Sequence, residues 1–121
     1  MKPLLVSKLD TFLKRFDNFR GGELRSFEVI SSSVIILTLS GQDSARGFDW
    51  ITVKFEFSGV SEAKLLEQNK LSFINMDEGI SIIDFDSKFV FAIGQCYNIS
   101  SIKNSASQVM GSSLKYQEGS F

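Results

Sequence analysis

From Leu5 onward the apolar residues fall at Leu9, Phe12, Leu13, Phe16 and Phe19, in steps of three and four. Those steps line one face of a 3.6-residue helix, so the spacing predicts an amphipathic helix within residues 1–21. Ser7 or Pro3 can open it, and Gly21-Gly22 can close it, because glycine accepts the left-handed geometry of a helix C-cap. No strand precedes this glycine pair and no helix follows it, so it reads as punctuation and not as a phosphate cradle.

Beyond Gly22 the period changes to two. Glu23 to Ile30 alternates through Leu24, Phe27 and Val29, and Ser33 to Leu39 is dense enough in aliphatic residues to be buried on both faces. A polar loop spans Gly41 to Gly47. Asp49 to Phe57 then carries the cleanest strand pattern, with Ile51, Val53, Phe55 and Phe57 alternating against Trp50, Thr52, Lys54 and Glu56. Gly59 ends that strand, Ser61 to Leu66 is expected to make a short helical turn, and Leu71 to Asn75 is expected to be extended. Met76 to Gly79 reads as a turn. Ile80 to Asp84 and Phe89 to Gln95 read as a hairpin around a tight polar connection, and a final edge strand is expected through Val109 to Tyr116. The pattern thus predicts an α+β fold, with the N-terminal amphipathic helix packed on a mainly antiparallel sheet of about six to seven strands, in one domain covering residues 1–121.

Composition fits this picture: 43% hydrophobic residues, including twelve phenylalanines, suffice for one core. Thirteen basic groups against fourteen acidic ones leave a charge of −1, without the basic excess that a phosphate backbone requires, so no nucleic-acid partner is expected. The charge is uneven, however. Residues 1–25 hold six basic groups (Lys2, Lys8, Lys14, Arg15, Arg20, Arg25) against three acidic ones, and the remainder holds seven against eleven. Such asymmetry can steer an oppositely charged protein partner. The single cysteine, Cys96, excludes an intramolecular disulfide and fits a reducing compartment. Lys8 and Asp10 interrupt the early apolar run before it reaches signal-peptide length, and no run is long enough to span a bilayer, so the expected location is cytoplasmic and no membrane partner is expected. Without export, Asn98-Ile99-Ser100 is a chance match to the glycosylation pattern.

The chain contains no histidine. That removes the histidine-based catalytic triads and most transition-metal sites together. Cys96 lies in an expected strand with no histidine to make its thiolate, and reads as a buried structural thiol. Asp77 with Glu78, and Asp84 with Asp86, are the remaining candidates for acid/base or cation chemistry. Both pairs fall in turns, where aspartate is common for its local hydrogen bonds, and neither has the ligand spacing of a calcium loop. No catalytic residue, metal or cofactor is therefore expected. The candidate for binding is Trp50, which alternation turns away from the Ile51, Val53, Phe55 and Phe57 face, with Phe48 on its side. Lys54 flanks it, and the loop residues Asp43 and Arg46 supply a polar rim.

The order of these pieces, an entry strand from Gly21 to Val29, an aliphatic strand, and then Trp50 to Val60, resembles small bacterial domains among the immunity proteins of polymorphic toxin systems. The likeness covers residues 22 to 83 and is mainly one of hydrophobic pattern. It implies a cytoplasmic, non-catalytic protein that neutralises a cognate toxin by binding it. Similar sequences often carry His-Asp where this chain has Gly22 and Glu23, so no functional residue is carried across. The expectation is a protein-binding module, with a self-associating structural domain and a carboxylate-based enzyme as the alternatives.

Overall fold

The computed structural model describes every residue except Tyr97. The chain runs through β1 (Lys2–Pro3), α1 (Val6–Arg15), β2 (Glu23–Ser31), β3 (Val34–Asp43), β4 (Asp49–Ser58), β5 (Glu62–Lys64), β6 (Ile80–Phe85), β7 (Lys88–Ile93), α2 (Ile99–Lys103), β8 (Gln108–Gly111) and β9 (Ser113–Ser120). It is an α+β fold with an N-terminal helix on antiparallel strands, as the periodicity predicts. Among the described residues the strands number nine and divide between two sheets, of order β1-β9-β4-β3-β2 and β5-β8-β7-β6.

Helix α1 buries Leu9, Phe12 and Leu13 against the first sheet, but it stops at Arg15, well short of the glycines. The reason lies in the next three residues. Asp17, Asn18 and Phe19 form a single short helical turn with φ of 51°, 55° and 59°, so its hand is opposite to that of α1. This reversal carries Phe19 under β3, where its ring stacks on Phe16 at 4.8 Å and meets Phe55 edge-on at 6.1 Å. Gly41 makes the approach possible, since a Cβ there would lie 2.8 Å from the Phe19 ring. The turn is held from behind by the loop before β6: Gly21 N–H donates to the Met76 carbonyl at 2.9 Å. Neither Ser7 nor Pro3 caps the helix. Leu5 occupies that place without a side-chain cap, and Pro3 lies in β1.

Strand β4 keeps its predicted alternation, with Ile51, Val53, Phe55 and Phe57 buried. Its inner face is shared. Phe12 and Phe19 reach Phe55 from the helix side, while Phe91 of the second sheet reaches Phe57 at 6.4 Å. The far face of the second sheet is closed by α2, through a small cluster of Val90, Ala92, Cys96 and Ile102.

Several elements differ from their sequence-based reading. The expected helical turn after Ser61 is β5, paired with β8, and the expected extended stretch after Leu71 is a short helical segment, Gln68–Phe73. The expected final strand is two strands, β8 and β9, which belong to different sheets and meet at Gly111 and Ser112. Gly111 passes so close to β4 that a Cβ would sit 2.8 Å from the Ser58 carbonyl oxygen. Strand β9 lies between β1 and β4, but β1 pairs only with Lys115 and Tyr116, so among the described residues Gln117–Ser120 keeps an edge on that side. The serine-rich stretch before it is structural: buried Ser105 and Ser107 satisfy backbone groups of Ile93 and Lys64. Asn98 caps α2, its Oδ1 accepting from the Ser101 N–H at 2.9 Å. The β6–β7 hairpin matches its prediction, turning through Asp86 and Ser87 with φ of 52° and 62°, the pattern of a two-residue hairpin turn.

Candidate functional site

The first sheet ends, on the side where α1 terminates, in a cluster of charges that organises everything around it. Asp43 is the last residue of β3 and continues the inward-facing set of Ile35, Leu37 and Leu39, so its carboxylate points into the core side and is 0% exposed. Arg15, the last residue of α1, answers it with two hydrogen bonds, Nε to Oδ1 at 3.2 Å and Nη2 to Oδ2 at 2.6 Å. Arg15 also reaches Glu118 of β9 at 2.6 Å, while its guanidinium lies over the Phe12 and Phe16 rings at 5.4 and 5.1 Å. Arg46 approaches the same carboxylates at 3.4 and 3.7 Å. The Arg15 hydrogen bonds hold the Asp43 carboxyl below its ordinary range although burial alone would raise it, with the Ala45 N–H and Arg46 adding to the lowering. Arg15 in turn is held more firmly protonated, chiefly by its hydrogen bond to Asp43. The sequence reading of Asp43 as an exposed rim residue is thereby corrected. A charge on the buried face of a strand is stable only when paired and hydrogen-bonded, and Arg15 provides both.

This cluster fixes the connection between β3 and β4. Asp43 Oδ1 accepts from the Ala45 N–H at 2.9 Å, starting a short helical turn over Ser44–Arg46, and the Phe48 N–H returns to the Asp43 carbonyl at 2.9 Å. Gly47 and Phe48 are both left-handed, with φ of 65° and 67°. For glycine that costs nothing, but a bulky residue held there stores strain of about 1–3 kcal/mol. Phe48 does not recover it by burial, since it is 63% exposed.

Phe48 and Trp50 form one side of a groove of about 160 Å³ whose other side comes from the end of α1 and the left-handed turn after it, through Lys14, Asp17 and Arg20. A cavity of about this size accommodates one ring-sized group. Among the described residues, the two places where non-glycine residues are forced left-handed outside the β6–β7 hairpin, Asp17–Phe19 and Phe48, therefore flank one and the same groove. Across Trp50 the aromatic surface continues. Trp50 is 38% exposed, its ring lies 5.5 Å from that of Phe121, itself 60% exposed, and the Arg25 guanidinium covers Phe121 at 5.3 Å. Lys14 and Arg20 line the groove with Phe48 and Trp50, and Arg25 lies on Phe121. Arg20 is paired to Asp17 at 2.8 Å, an exposed contact of little energy.

Of the residues singled out from sequence, Phe48 and Trp50 come together here, while Arg46 turns to the Asp43 and Glu118 carboxylates. Lys54 shares the outer face of β4 with Trp50 but stands four residues along the strand, about 13 Å away. Lys14, Arg20, Arg25 and Phe121 join Trp50 only through the packing of α1 and its following turn and through strand order, which the local sequence pattern does not show. Four larger depressions lie elsewhere, of about 480 Å³ beside Glu23 and Gln68, about 530 Å³ beside Asp77 and Glu78, about 300 Å³ beside Met1 and Tyr116, and about 290 Å³ beside Phe12 and Tyr116. The last two have aromatic lining, but none of the four is lined by a left-handed non-glycine residue of the kind that marks the smaller groove. Cys96 is buried, in the loop after β7 and not in a strand, and burial pushes its thiol up, with Glu78 adding to this. Among the described residues no three His, Cys, Asp or Glu side chains gather where a metal ion could be held, and no helix is long and apolar enough to cross a membrane.

No protein-family model, curated protein or solved structure matches this chain.

Proposed function

We propose that this protein is a non-catalytic protein-binding module that grips its partner with the Phe48–Trp50–Phe121 surface and its arginine and lysine surround. The reading is supported above all by Phe48, a large apolar side chain kept exposed on a strained backbone beside a half-exposed tryptophan. Aromatic anchors and arginines carry most of the energy at protein interfaces, and strained, exposed residues concentrate where a surface is used. The positive side chains around the rings favour a partner that presents acidic groups next to an apolar side chain able to enter the groove. The absence of histidine from the sequence favours binding over acid/base chemistry. Within this reading the protein acts as immunity proteins do, by occluding a cognate toxin in the cytoplasm. Affinity capture from the native host with wild type, Phe48→Ala and Trp50→Ala tests it. A stoichiometric partner bound by the wild type and weakened about thirty-fold, or about 2 kcal/mol, by either substitution is the expected result. Recovery that is indifferent to both substitutions, or no partner at all, rejects the proposal.

A further inference from the structure

The groove between Phe48 and Trp50 offers a guest two things, and both can be counted. The first is aromatic contact. Phe121 already packs on Trp50 from outside the groove at 5.5 Å, and the buried ring of Phe16 lines the groove together with Phe48 and Trp50. A space of about 160 Å³ takes one ring, since an apolar cavity of about 150 Å³ holds a benzene. The second is charge. Arg15 is held by Asp43 and Glu118, and Arg20 by Asp17. Among the described residues Lys14 has no carboxylate within ion-pair distance, so the groove carries one uncompensated positive charge.

We infer, resting on the protein-binding role proposed above, that the partner places one aromatic side chain in this groove, with an acidic residue next to it in sequence whose carboxylate pairs with Lys14. One ring and one carboxylate match the space and the charge on offer. An aliphatic guest would fill the space without the offset and edge-to-face contacts that aromatic walls reward. A cationic guest, the usual occupant of an aromatic cage, is repelled by Lys14 and Arg20. A nucleotide also joins a ring to an anion, but phosphate is recognised by clustered cations, and here a single lysine is uncompensated. Phe48 is held ready for such a guest. Its N–H donates to the Asp43 carbonyl and its own carbonyl accepts from Gln42 Nε2 at 3.3 Å, so the backbone that carries the ring loses little freedom on binding.

NMR titration of the isotope-labelled full chain with acetyl-Asp-Phe amide and acetyl-Phe-Asp amide, each to about 20 mM, tests it through the indole N–H of Trp50. Trp50 is the single tryptophan, so its resonance is unambiguous. The better of the two peptides is expected to give a saturable shift with a Kd of about 1–10 mM. Replacing its Phe by Ala is expected to weaken binding about ten-fold through loss of the ring, and replacing its Asp by Asn about three-fold through loss of one exposed ion pair. Lys14→Gln, at an exposed position of α1, is expected to abolish the preference for Asp over Asn while leaving the Asn peptide bound as before. Absence of a shift with both peptides overturns the inference. So does equal binding of the Asp and Asn peptides, an Asp preference that survives Lys14→Gln, or adenosine monophosphate binding more tightly than either peptide. A partner captured through Phe48 and Trp50 while the peptides fail overturns this inference alone and leaves the protein-binding role standing.

Discussion

Replacing Asp43 by asparagine keeps the shape of the side chain, and the amide oxygen can still accept from the Ala45 N–H, so the change isolates the charge. It turns Oδ2, the acceptor of the shorter Arg15 bond, into an NH2 that cannot accept, takes the charge out of the remaining Nε bond, and leaves the guanidinium with Glu118 as its one close carboxylate. Breaking a fully buried ion pair costs about 3–5 kcal/mol. Here Asp43 is buried but the Arg15 side chain is 27% exposed and keeps Glu118, so the lower end applies, about 3 kcal/mol. For a chain of this size that corresponds to a melting temperature lower by about 10 °C. The pH dependence supplies a second, sharper readout. The folded carboxyl is held below its unfolded value, so its contribution is complete above about pH 4 and is lost as pH falls through the depressed folded value. Urea unfolding of wild type and Asp43→Asn, measured from pH 7 down to pH 2.5, is therefore expected to show a gap that is widest at neutral pH and closes in acid. A gap under about 1 kcal/mol at pH 7, or one that stays constant with pH, would refute the assignment of Asp43 as the buried charge that organises this end of the sheet.

Three further substitutions probe the backbone. Phe48→Asn replaces a bulky residue at φ 67° by one that tolerates the left-handed region, and little buried surface is lost, so stability is expected to hold or to rise by about 1 kcal/mol, measured by thermal melting. A drop of more than about 1 kcal/mol would mean that Phe48 is not strained. Gly47→Ala and Gly79→Ala share nearly the same φ, 65° and 69°, but a Cβ at Gly47 meets open space whereas one at Gly79 would lie 2.0 Å from the Asn18 carbonyl oxygen. Chemical denaturation should give about 1 kcal/mol for Gly47→Ala and at least about 3 kcal/mol for Gly79→Ala, and equal costs would contradict the close packing of the left-handed turn.

What the sequence discloses and what it hides divide along a physical line. Period-two alternation in β4 and period-three-and-four spacing in α1 are local consequences of burying one face, so Ile51, Val53, Phe55, Phe57, Leu9 and Phe12 are legible from spacing alone. The two-residue Asp86-Ser87 turn is legible for the same local reason. Where burial is not the local rule, the reading failed. Ser105 and Ser107 look like a polar tail, yet their hydroxyls satisfy distant backbone groups, and nothing in the local composition announces those partners. Asp43 reads as a loop charge when the strand is taken to end at Leu39. Extended by four residues, the alternation of Ile35, Leu37 and Leu39 places it inside, where a carboxylate demands a cation. The groove was half visible: Phe48 and Trp50 are near one another in sequence, whereas Lys14, Arg25 and Phe121 join them only through the packing of α1 and sheet order, which no single-strand pattern encodes.

The position of β9 between β1 and β4 also governs how the chain reaches this state. Strand β4 must wait for its neighbour, since Ser58 pairs with Ser113 and Ile51 with Ser120, and the whole second sheet is threaded between them. Closing so long a loop is entropically costly before any contact rewards it, which places the protein among the slower folders of its size. On a ribosome, at about 5–20 residues per second, the apolar flank of β4 stays uncovered for roughly 3 to 11 s while the intervening 54 residues, 59 to 112, are made. During that interval the second sheet can assemble from contiguous chain, and β9 then completes the first sheet as its last strand. The Arg15–Glu118 bridge forms only at that step, so the end of the helix, the β3–β4 connection and the groove they frame become rigid together, at the close of folding.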